Sequence, residues 1–190
     1  ESTLKRIFTM LQGLTVDEIF QRYKKIPLMP SAKEVFEGLN RAGYKTALIS
    51  SGLPTLFVED LASRLNADYA FGLELETANN HLTGKIGGDV LKSGGKAIVL
   101  KKILEKEDLS SQDCVVVADD RNNLPMFPLS KLRIGYNPDF LLSAKSYFVV
   151  RDNLSEILPI LTENTLQVSS HPLSRSEIIR ETIHIGGFFV

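Results

Sequence analysis

A doubly wound α/β fold is what this sequence predicts, on three observations. Short apolar runs such as Thr46-Ala47-Leu48-Ile49 and Cys114-Val115-Val116-Val117 have the composition of strands covered on both faces. Stretches of helical period separate them, and strand–helix alternation of this kind builds a mainly parallel sheet with helices on both sides. The length, 190 residues with 43% hydrophobic side chains, suits one ordinary domain with a real core.

The elements follow in order. Leu4, Ile7, Phe8 and Leu11 share one face of a helix. A second short helix is announced by the capping box Thr15-Val16-Asp17-Glu18. After the break at Ile26-Pro27-Leu28-Met29-Pro30, another box, Ser31-Ala32-Lys33-Glu34, predicts a helix that ends near Gly43. The strand Thr46 to Ile49 comes next, then a helix from Pro54 through Leu61 to Leu65. Asp68 to Glu76 and His81 to Ile86 read as a hairpin about Asn79-Asn80. Ala97 to Leu104 is helical, Val115 to Val117 a second buried strand, and Leu132 to Tyr136 and Tyr147 to Val150 shorter strands. Asn153-Leu154-Ser155-Glu156 caps one more helix.

The tail differs in character. Thr165 to Pro172 reads as a polar linker, and Ser174-Arg175-Ser176-Glu177 as the cap of a final amphipathic helix. That helix loses its charges toward Phe188-Phe189-Val190, as a chain entering hydrocarbon would. A simple C-terminal helix packed on the core is the alternative. The chain starts at Glu1 within a helical pattern and stops on an apolar run, which suggests an internal fragment of a longer protein. The organisation expected is a helical remnant over 1–29, an α/β core over 30–162, and a linker with a juxtamembrane helix over 163–190.

A net charge of -1 argues against nucleic-acid binding, which normally needs a basic face. A single cysteine, Cys114, excludes an intramolecular disulfide and suits a reducing compartment. No secretory signal is visible at the start, so the expected location is cytoplasmic, at or near the cytoplasmic face of a membrane.

Functional groups of an open parallel sheet gather beyond the carboxyl ends of its strands. Three strings of residues stand at such positions. Ile49-Ser50-Ser51-Gly52 delivers a hydroxyl, and its glycine lets backbone N–H groups approach an anion, although an ordinary turn of small residues would look the same. Ser93-Gly94-Gly95-Lys96 places a lysine at a helix start, suited to phosphate charge or simply solvated, and it lacks the spacing of a nucleotide-binding P-loop. Asp119-Asp120-Arg121-Asn122-Asn123 follows a buried strand. Two adjacent acids there need neutralising, and a hard cation such as magnesium does so with oxygen ligands; the same acids could merely cap the next helix.

In this order the strings resemble the haloacid dehalogenase-type phosphatases, and within them the phosphoserine phosphatase branch. The resemblance runs from Glu1 to about Val150. It takes in Ser2 to Arg6, Ser50 with Gly52, Asp68-Tyr69-Ala70-Phe71, Leu82-Thr83-Gly84, Ser93 to Lys96 and Asp119 to Asn123. It implies a Rossmann-like core with a partial helical cap, and magnesium-dependent hydrolysis of a small phosphorylated metabolite through an aspartyl-phosphate. Ser50 and Lys96 would be catalytic, with Ser50 on a phosphate oxygen, helped by Ser51 and Gly52, and Lys96 paired with phosphate and nucleophile. Asp119 would bind the metal with Asn123 beside it, Asn122 would lie near the substrate, and Arg6 would receive a substrate carboxylate.

The departures from that pattern matter equally. The family's Asp-x-Asp-x-Thr/Ser motif, which ends its first strand and supplies the nucleophile, is absent: no two aspartates lie two positions apart. The chain alone is therefore expected to be inactive, and the resemblance implies a bare slot in the centre of the sheet between the strands ending at Ser50 and Asp119. Ala118-Asp119-Asp120 stands where Gly-Asp-Gly is usual, with Asp120 expected to tolerate a left-handed backbone. Asn123 replaces an acid. These changes favour an alternative, a non-catalytic binding or regulatory module fused to a membrane domain. Residues 177–190 resemble the start of dolichol kinase-type membrane domains.

Overall fold

The structure is a computed structural model that describes residues 2–161 and the strand 182–186. Its elements are helices α1 (Ser2–Met10), α2 (Val16–Tyr23) and α3 (Ala32–Arg41), strand β1 (Lys45–Pro54) and helix α4 (Thr55–Leu65). Strands β2 (Tyr69–Ala78) and β3 (His81–Gly87), helix α5 (Gly95–Lys106), and strands β4 (Cys114–Ala118) and β5 (Leu132–Tyr136) follow. Helix α6 (Phe140–Ser143) and strands β6 (Phe148–Val150) and β7 (Thr182–Gly186) complete the order.

The strands form one sheet in the order β3-β2-β1-β7-β4-β5-β6. All neighbours are parallel except the β2–β3 hairpin. Asn79 and Asn80 both adopt positive φ at its turn, the geometry that lets a two-residue loop follow the strand twist. Alternation along the central strands splits the core in two. Leu48, Val115 and Val117 face α3 and α4 on one side, while Ala47, Ile49, Val116 and Ala118 face α5 and Phe8 of α1 on the other. A smaller cluster gathers Ile19 and Tyr23 of α2 with Phe57 and Leu82, the two rings of Tyr23 and Phe57 stacking at 4.4 Å.

Three expectations need correction. The cap at Thr15 forms in both directions, but Ser31 makes no cap: it adopts φ 67, directly after Pro30, and its hydroxyl donates to Asn153 instead. Asp120 is extended, at φ -131, so no left-handed backbone is needed there. The largest difference is the tail. The linker and most of the final helix expected after Ser174 lie outside the described residues, but Thr182–Gly186 is a strand. It pairs with β1 on one edge and β4 on the other through all five residues, so the central slot is filled. No helix among the described residues is long and apolar enough to cross a membrane.

Candidate active site

Gly186 stands opposite both Ile49 and Ala118, so β1, β7 and β4 reach the same level at their carboxyl ends. Ser50 and Asp119 are the next residues on either side. Between Ile49 and Pro54 the pairing of β1 with β2 is interrupted, and the extra residues bulge into a loop. The buried Ser50 hydroxyl oxygen organises that loop by accepting from the N–H groups of Gly52 (3.2 Å) and Leu53 (3.1 Å). Its hydrogen remains to be donated to an anion.

The opposite wall is the start of α5. Gly95 packs so tightly on the 3-10 turn at Asp89–Leu91 that a side chain would run into the Asp89 carbonyl, while Gly94 before it uses φ 66. This packing carries Lys96 inward, where it is only 8% exposed. Its Nζ donates to Asn123 Oδ1 at 2.7 Å. Burial holds the ammonium below the ordinary lysine range, opposed by Asp120 and Asp119.

Beyond β4, Asp120 caps the following 3-10 segment by accepting from the Asn122 N–H at 2.9 Å. The capping role and the site role therefore coexist in one pair of acids. Asn123 is fully buried and donates from one amide nitrogen to Asp119 Oδ1 (3.0 Å) and Asp120 Oδ1 (3.1 Å). Its oxygen is turned to Lys96, so it bridges cation and acids rather than offering that oxygen to a metal. Burial, and then the neighbouring Asp120, raise the Asp119 carboxyl above its usual range. Two adjacent, partly buried carboxylates fit a hard divalent cation, although no group of three His, Cys, Asp or Glu is gathered for one among the described residues.

These parts meet in one cleft of about 590 Å³. Ser50, Ser51, Gly52, Lys96, Asp119 and Asn122 all line it, with Asn123 buried behind. Arg6 does not: α1 offers Thr3, Leu4 and Ile7 to the cleft and points Arg6 outward, exposed. Sequence reasoning gave no role to two cations that do line it, Lys92 and Arg121. Lys92 is spent on Asp89 at 2.6 Å, and that carboxyl, held by Lys102 and Lys92, falls to about 2.

Residues 1–128 match the haloacid dehalogenase-like hydrolase family. The phosphoserine phosphatase of Archaeoglobus fulgidus is 33% identical over 162 residues, 85% of this chain, and this chain spans about half, 47%, of that relative's length. The phosphoserine phosphatase of Idiomarina loihiensis is 33% identical over 167 residues, 87% of this chain and 75% of its own. Among solved structures, a substrate-bound phosphoserine phosphatase complex is 28% identical with a TM-score of 0.76, covering 84% of this chain and 76% of that one. A phospho-aspartyl intermediate analogue of phosphoserine phosphatase is 29% identical at the same TM-score, covering 84% and 77%. With its parallel sheet, its cleft at the strand ends and these matches, the chain belongs to the haloacid dehalogenase-like hydrolase family.

Proposed function

We propose that the whole protein hydrolyses a small phosphomonoester of the phosphoserine type, and that this chain supplies the phosphate-binding half of the site. The observation that carries the reading is the convergence of the Ser50 loop, buried Lys96 and Asp119 on one cleft. The Ser50 hydroxyl, held in place by the N–H groups of its loop, would donate to a phosphate oxygen. Lys96, already stripped of water, would meet the phosphate charge without reorganising. Asp119, with Asp120, would hold magnesium, which when bound neutralises phosphate charge and polarises the ester. Asn123 keeps the acids and Lys96 in fixed relation. The reaction would also need an aspartate to attack phosphorus, and the Asp-x-Asp pair is not in this sequence.

A second reading, a binding or regulatory module without turnover, draws on β7. That strand occupies the central position where the resemblance places the nucleophile-bearing strand.

Titration with inorganic phosphate, with and without magnesium, tests the shared premise. The chain should bind phosphate, and Lys96→Met should weaken binding about tenfold or more, the scale of a lost charge-assisted contact. Undiminished binding by Lys96→Met would remove the site. Assay of phosphoserine with a longer protein carrying an Asp-x-Asp pair separates the readings: turnover supports the hydrolase, and its absence supports the module.

A further inference from the structure

Five of the ten large apolar side chains that stand well exposed among the described residues are Phe140, Leu141, Tyr147, Phe148 and Val149. Phe140 is 85% exposed. They come from two elements fastened to the sheet from beneath, α6 by the buried Leu142 and β6 by the buried Val150. The crossover between β5 and β6 is folded flat, because Pro138 and Ser146 both close on Gly135. The apolar groups are therefore gathered at one edge of the sheet, where β6 has no strand beyond it among the described residues. Single exposed apolar side chains need no explanation, but a cluster does.

Charge says what would cover it. From Phe140 to Arg151 the sequence has two cations, Lys145 and Arg151, and no acid, in a chain of net charge -1. Neither side chain is ion-paired among the described residues. Arg133 backs the patch, with its guanidinium 5.0 Å from the Tyr147 ring centre. A second copy is a poor occupant. Two β6 strands paired antiparallel about Phe148 would set Lys145 of each copy opposite Arg151 of the other, and like charges oppose that pairing. An added peptide strand fits little better, since β6 is three residues long and offers few ladder hydrogen bonds. Protruding apolar side chains interleaved with cations match a bilayer with an anionic surface. The aromatic groups would reach the acyl boundary, and Lys145 and Arg151 would meet the headgroups.

We propose that the edge formed by α6 and β6 docks the protein on an anionic phospholipid membrane. None of these residues lines the phosphate cleft, so the docking surface stands apart from that site and from any turnover there.

The chain has no tryptophan, so Phe140→Trp introduces a single reporter on the patch. With vesicles of phosphatidylcholine and phosphatidylserine in equal parts, its emission should shift to the blue, and with phosphatidylcholine alone it should not. Sedimentation with the same vesicles should show the wild-type 190-residue chain binding the anionic ones about tenfold or more tightly than the neutral ones, a preference that high salt erases. Lys145→Glu combined with Arg151→Glu should remove the preference. Phe140→Ser should weaken binding severalfold at an unchanged melting temperature, because so exposed a side chain has little packing to lose. Phe188→Ser combined with Phe189→Ser should leave the preference in place. Absence of the shift, equal binding to neutral vesicles, or binding lost in the Phe188 and Phe189 variant but kept in the patch variants overturns the proposal. A dimer in solution that Phe140→Ser dissociates overturns it too, since a second copy would then cover the patch.

Discussion

Asn123 joins both signs of charge in the cleft, with its oxygen on Lys96 and its nitrogen on Asp119 and Asp120. An acid at this position would offer metal ligands; the amide instead ties the acids to the lysine. Asp119 therefore sits partly buried beside a like charge, compensated by a neutral donor and by Lys96. Its raised pKa fixes a sign. The native state keeps the Asp119 proton to higher pH than the unfolded chain, so this stabilising contribution is complete below about pH 3.8 and is lost as pH rises through the raised native value. Asp119→Asn does not titrate. Its melting temperature relative to the wild type should climb as pH rises across that window, by about 2–4 °C for each kcal/mol relieved. Magnesium should stabilise the wild type at neutral pH and leave Asp119→Asn unmoved. Parallel thermal melts from pH 3 to 7.5, with and without the metal, check both; a flat difference between the proteins would show that Asp119 is not strained in the native state. The acids and Lys96 were legible in the sequence because charge after a buried strand or at a helix start needs a reason. Arg121 stood in the same string, but its pairing with Asp139, 18 positions away, could not be read from it.

At the scale of elements, the junction that carries Lys96 into the site was legible only in part. The helix start at Gly95 was visible as Ser-Gly-Gly-Lys, but not the reason for its second glycine, which is the approach of the turn at Asp89–Leu91. Likewise Thr15 announced a cap that forms, while the same signature at Ser31 failed because the residue is left-handed and its hydroxyl reaches Asn153. Local patterns were dependable where the partner is local, and failed where a distant segment intervenes. The two glycines of the α5 start should therefore respond differently to alanine. Gly94→Ala meets open space but must keep φ 66, a penalty of about 1–2 kcal/mol. Gly95→Ala drives a methyl into the Asp89 carbonyl, so α5 or the turn must move, typically at about 1–3 kcal/mol. The distinguishing effect is on Lys96. Gly95→Ala should weaken phosphate binding severalfold beyond its effect on stability, whereas Gly94→Ala should leave bound phosphate affinity close to normal. Denaturant melts paired with phosphate titrations would show whether the loss follows position in this way.

For the whole molecule, the parallel sheet with helices on both faces was plain from alternation alone, because buried parallel strands are nearly continuous apolar runs. The tail was not. Ile183 to Val190 is apolar and short, and a short apolar run does not reveal by period whether it is strand or helix. Only the sheet decides, since β1 and β4 each present an edge that the other does not fill. The pairings make β7 the sole link between the half-sheet β3-β2-β1 and the half-sheet β4-β5-β6 among the described residues. It also brings Ser50 and Asp119 to one level, so the cleft depends on the last of the described strands. A proline inside β7 removes a ladder hydrogen bond in the middle of the sheet, and its ring opposes pairing. His184→Pro should therefore destabilise the protein by about 3 kcal/mol or more relative to His184→Ala, which controls for the side chain and keeps the donor. On a chain of this size that is about 6–12 °C in melting temperature. Amide exchange should show lost protection along Lys45 to Ile49 and Cys114 to Ala118 together, since both strands lose the same neighbour. Phosphate binding should fall with them, because its two walls are then no longer held at one level. If the two variants melt alike, with β1 and β4 equally protected, then β7 does not join the half-sheets and another contact must align the cleft.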